Sequence, residues 1–162
     1  MSLFVLFIAK SSSDDGLDVT SHLEIYQTFN AAKEAMTKII NSHSKKGWHC
    51  QTDEDSAICI KNHDEYAFDQ IKLSIYNIDD LSQCALIRDG WTSDAGILPF
   101  ADVFFFKDQQ DAVHFLKENA EATRQAFERN KQEVEYGLED HYAYCEDQGF
   151  FNAVYWHMVP IV

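Results

Sequence analysis

Apolar and polar positions follow distinct rhythms along this chain, and each rhythm predicts an element. Leu3-Phe4-Val5-Leu6-Phe7-Ile8-Ala9 is apolar without a break, as in a strand covered on both faces. Residues 11–16 are polar and turn-forming. From His22 to Thr28 the pattern alternates about Leu23 and Ile25, so this segment pairs with the first strand as a hairpin. Asn30 then stands as an N-cap, and Ala32, Ala35, Met36, Ile39 and Ile40 share one face of a helix. Lys45-Lys46-Gly47 supplies its cationic, glycine-terminated end. Residues 48–51, 57–61 and 66–76, separated by polar turns, read as a three-stranded antiparallel meander.

Further on, Leu81, Ala85 and Arg88 fit a short helix ended by Asp89-Gly90, and residues 91–99 read as an ordered loop from Trp91 to Pro99. Residues 102–106 are a second apolar strand. Asp108 and Asp111 mark the start of a long helix whose inner face steps through Ala112, Leu116, Ala120, Thr123, Phe127 and Val134. Gly137 breaks that pattern. Leu138, His141, Tyr142 and Cys145 fit a short third helix ending near Gly149, and residues 150–159 read as a last strand closed by Pro160.

These elements predict an α+β fold: a single antiparallel-dominated or mixed sheet of six or seven strands with two or three helices packed on it. One domain over 1–162 is expected. Phe29-x5-Ala35 and Phe106-x5-Ala112 repeat at an offset of 77 residues, which suggests the alternative of two β–α halves, 1–77 and 78–162. An aromatic ahead of a helix cap is a common staple, however, and accounts for the recurrence by itself.

Composition narrows the class. The 162 residues include 46% apolar and 14% aromatic positions with only two prolines, which excludes a disordered chain. No apolar run approaches the ~18 residues of a membrane-spanning helix. The first fifty residues carry five acids and five bases, so residues 51–162 hold the whole net charge of −14. That field repels phosphate, so neither direct nucleic-acid binding nor docking on a membrane is expected, whereas a basic protein partner is attracted. The alternative partner is a second copy of the chain. Cys50, Cys59, Cys84 and Cys145 form no C-x-x-C pair, and the apolar start has no basic flank or cleavage site. A cytoplasmic protein with four reduced thiols is the expectation.

Candidate chemistry is sparse. Cys59-x3-His63 and His141-x3-Cys145 are zinc-like pairs, but along a strand such a spacing holds side chains ~13 Å apart. Cys145 lies beside Glu146 and Asp147, which disfavours a thiolate nucleophile. Glu135 with Glu139, and Asp140 with His141, are explained as a solvated face. Phosphate-binding glycine loops and a nucleophile elbow are missing. No catalytic, cofactor or metal residue is assigned, and no cofactor is expected. What stands out is an aromatic cluster interleaved with acids, and it defines an interaction surface of Trp91, Asp94, Glu139, Asp140, Tyr144, Glu146, Asp147 and Trp156. The expected function is a non-catalytic intracellular binding or regulatory protein that recognises a basic partner or itself. Two rivals stand beside it. One is a small enzyme with a pocket under the 91–99 loop, drawing on Asp89, Asp94 or His157. The other is an acidic nucleic-acid mimic that needs the carboxylates of 51–70 and 133–147 on one ridge.

Overall fold

The computed structural model describes residues 2–13, 16–64, 67–93, 96–130, 133–147 and 152–161. The chain divides into two compact units, Met1–Asp80 and Leu81–Val162. The first runs β1 (Ser2–Ser12), β2 (Asp18–Tyr26), α1 (Phe29–Lys45), β3 (His49–Thr52), β4 (Ser56–Asn62) and β5 (Phe68–Asp79). The second repeats the succession as β6 (Cys84–Thr92), β7 (Leu98–Phe106), α2 (Gln109–Arg129), β8 (Val134–Leu138), β9 (Tyr142–Asp147) and β10 (Ala153–Pro160). The sheets have orders β2-β1-β5-β4-β3 and β7-β6-β10-β9-β8, antiparallel throughout.

Two five-stranded antiparallel sheets and two helices among the described residues replace the expected single sheet of six or seven strands. Two misread segments account for the difference. Residues 84–92 are a strand, not a helix followed by a loop. Ala85, Ile87 and Trp91 on one face and Cys84 and Leu86 on the other are all buried, so no period of two survives to mark it. Residues 134–147 are a hairpin, not a helix extension and a third helix. There Leu138, His141, Tyr142 and Cys145 satisfy a helical spacing by coincidence.

Local chemistry sets the helix starts. Thr28 caps α1, its Oγ1 accepting from the Ala31 N–H at 3.1 Å, two residues before the expected Asn30. Asp108 caps α2 as its spacing predicts, accepting from the Gln110 N–H at 2.7 Å. Helix α1 lays Ala32 and Met36 on Leu6, Ile8, Leu73 and Ile75, with Ala35, Ile39 and Ile40 packed alongside. In the second unit α2 lays Leu116 and Ala120 on Leu86, Ala143, Cys145 and Trp156. Neither helix is long and apolar enough to cross a membrane.

The caps Thr28 and Asp108 lie 80 residues apart, as do the buried pairs Ala32 and Ala112, and Met36 and Leu116. The hairpins keep the same offset, Phe4 facing Tyr26 in one and Cys84 facing Phe106 in the other. Phe106 therefore corresponds to Tyr26 and not to Phe29. Followed across the sheet, the Cys50–Cys59 pair of β3–β4 stands where Tyr136 and Cys145 pair in β8–β9.

Candidate functional site

The acidic, aromatic segment of the sequence becomes the β8–β9 hairpin, with β8 at the sheet edge. Its pleat sorts the side chains. Val134 and Tyr136 of β8 and Ala143 and Cys145 of β9 turn to the core under α2. Glu135 and Gly137 of β8 and Tyr142, Tyr144 and Glu146 of β9 take the outer face. Glu135 lies opposite Glu146, and Gly137 opposite Tyr144. The Tyr144 ring lies across Gly137, where a Cβ has no room. Tyr142 and Tyr144 have ring centroids 6.1 Å apart, and Tyr155 on the adjoining β10 donates its hydroxyl to Glu146 Oε1 at 2.7 Å. Glu139 and Asp140 are exposed in the turn, which closes through the Glu139 N–H donating to the Tyr142 carbonyl at 2.8 Å.

Electrostatics keep the Tyr142 and Tyr155 hydroxyls neutral. Burial first, and then the Glu146 carboxylate, raise the Tyr142 hydroxyl above its ordinary value. Burial and the hydrogen bond to Glu146 raise that of Tyr155. Arg124 is committed elsewhere: it pairs with Glu121 and Glu128 of its own helix and stands 5.1 Å from the Tyr136 ring centroid. Arg129 donates to the Gln125 carbonyl. Lys117 Nζ approaches Asp140 Oδ1 at 3.7 Å in an exposed pair, which is worth little.

The structure separates the residues expected to share a surface. Trp91 and Trp156 are interior, 2% and 0% exposed, and Trp156 donates its indole N–H to Asn119 Oδ1 at 2.8 Å. Asp147 is buried as well. Tyr144 and Glu146 are half-buried on the outer face, beside Glu139 and Asp140 at its turn, while Asp94 lies outside the described residues. Sequence reasoning missed Glu135, Tyr142 and Tyr155 as members. Their signal was a period of two, Tyr142-Tyr144-Glu146 against Ala143-Cys145-Asp147, hidden behind the helical spacing of the same stretch.

The cysteines also depart from expectation. Cys50 and Cys59, directly opposed on β3 and β4, form a disulfide, and Cys84 and Cys145 are free and buried. Four reduced thiols therefore do not describe this structure. Eight intervening positions concealed a pairing that only the β3–β4 register brings together. The zinc-like pairs come apart as well, with Cys59 in the disulfide, Cys145 fully buried and His141 exposed. His63 Nε2 instead meets Asp69 Oδ2 at 2.7 Å. Among the described residues no group of three or more His, Cys, Asp and Glu is arranged to hold a metal. Burial pushes the Cys145 thiol up to about 11, which leaves it protonated and unreactive at neutral pH. Of the groups named for a pocket enzyme, Asp89 is buried and His157 half-buried. The acids of 51–70 and of 133–147 belong to different units.

No family model matches the chain, and no curated protein and no solved structure matches it significantly.

Proposed function

We propose that this protein is a non-catalytic binding protein that recognises a basic protein partner through the outer face of the β8–β9 hairpin. The observation that carries the reading is the Tyr142 and Tyr144 ring pair on the outer face, with Glu139 and Asp140 exposed at the adjoining turn. A lysine or arginine of the partner pairs with the carboxylates at the turn and lies against the tyrosine faces. Self-pairing is the weaker reading. β10 is bonded to β6 and β9 on its two sides, and the acids of the β8 edge repel a second copy.

Titration with a fluorescent octa-arginine peptide tests the reading. Affinity should fall steeply between 50 and 200 mM salt. It should weaken at least tenfold in the double variant Glu135→Lys/Glu139→Lys, and in Tyr142→Ala by about 1 kcal/mol, or roughly fivefold. Unchanged affinity in both variants would overturn it, as would pull-downs from the native host that recover nothing specific at low or high salt. Cytoplasmic residence belongs to the same proposal and is tested on Cys50 and Cys59. The reducing cytosol keeps such a pair as thiols, so cells quenched in acid and alkylated with N-ethylmaleimide under denaturing conditions should show both labelled.

A further inference from the structure

A cavity of about 330 Å³ lies in the second unit between the C-terminal half of α2 and the sheet, lined among others by Arg88, Thr92, Phe100, Thr123, Phe127 and Asn130. One local feature bounds it: helix α2 runs four residues longer than α1, 21 against 17. At the 80-residue offset the α1 cap, Lys46, stands where α2 continues through Ala126 and Phe127 to Arg129. This extra turn roofs the space.

The polar groups in it are unevenly committed. Arg88 donates from Nη1 to Asn119 Oδ1 at 3.3 Å and from Nη2 to Asp102 Oδ2 at 3.1 Å, so its charge is already offset. Its Nε–H is buried with no partner among the described residues, and a buried donor of that kind calls for an acceptor. Thr123 spends its hydroxyl proton on the Asn119 carbonyl at 2.9 Å, which leaves the Oγ1 lone pairs to accept. Phe100 and Phe127 also line the cavity, with the guanidinium 5.8 Å from the Phe100 centroid.

We propose that this cavity binds a neutral planar heterocycle of one or two rings with a lactam edge, its carbonyl accepting from Arg88 Nε and its ring N–H donating to Thr123 Oγ1. The volume suits a ligand at the small end of the usual range. An anion finds no advantage, since Asp102 already balances Arg88. The proposal is independent of the hairpin reading.

The experiment is titration of the ¹⁵N-labelled full chain with quinazolin-4(3H)-one, followed by amide chemical shifts. Saturable shifts should cluster at Gly90, Thr92, Thr123 and Asn130. Affinity should fall at least tenfold in Arg88→Met, and binding should vanish in the cavity-filling variant Ala126→Phe. 2-Naphthoate, of similar size but anionic and without the lactam edge, should bind at least tenfold more weakly. Absence of saturable shifts, shifts centred elsewhere, or undiminished binding in a folded variant would overturn the proposal. Should Arg88→Met lose its folded spectrum, Ala126→Phe and the naphthoate comparison decide it.

Discussion

Asn119 shows how one side chain organises the space under α2. Its Oδ1 accepts from both the Trp156 indole and Arg88 Nη1, and its carbonyl accepts from Thr123. Asn119→Ala strands the N–H of a fully buried indole, so it should cost about 2 kcal/mol of stability, read as a lower urea midpoint with an unchanged slope. Protonation is the other residue-scale lever. The hydroxyls of Tyr136, Tyr142 and Tyr155 are raised chiefly by burial, Tyr26 reaches about 12, and the Cys145 thiol about 11. The folded state holds these protons more tightly than the unfolded chain. The stability they contribute is therefore complete below about pH 9 and lost as pH rises through about 11 and 12. The share of the tyrosinate absorbance at 295 nm that belongs to these four tyrosines should accordingly appear in step with the loss of circular dichroism.

Among the elements, those with an uncontested rhythm were legible. The expected apolar face of α1, Ala32 to Ile40, is the face that packs, and Asp108 caps α2. The first hairpin and the meander of the first unit also follow from alternation, because β2 to β5 each keep a partly solvated face. β6 was illegible because it is buried on both faces and so lacks alternation, while Arg88-Asp89-Gly90 breaks the apolar run that made β1 readable. The β8–β9 hairpin hid because two periods fitted the same letters, and with it went half of the candidate site. Burial of Trp91 and Trp156 could not be foreseen either, since composition marks aromatic anchors without saying which way they point. The Cys50–Cys59 link ties the edge strand β3 to β4 across a separation of nine residues. A loop of that length is worth about 2–3 kcal/mol, so reduction should lower the stability of the first unit by that amount and speed hydrogen exchange in β3 and β4.

For the whole molecule, the two units share one strand order but diverge in what they add to it. The first has a covalent tie where the second sets the Tyr136 ring against a free, buried thiol, and the second has the longer helix and the acidic hairpin. The net charge of −14 acts on the full chain. Self-repulsion of that size is screened within about 8 Å at physiological salt and much less well in dilute buffer. Raising sodium chloride from 10 to 300 mM should therefore raise the melting temperature by several degrees, by differential scanning fluorimetry.

In both units the strand made last lies in the middle of the sheet, β5 between β1 and β4, and β10 between β6 and β9. During synthesis the first sheet can close once Phe68–Asp79 has cleared the ribosome. The second stays as two unjoined ribbons, β6–β7 and β8–β9, until Ala153–Pro160 emerges. A nascent chain halted before that point would carry one finished unit and one with an open seam where its keystone belongs.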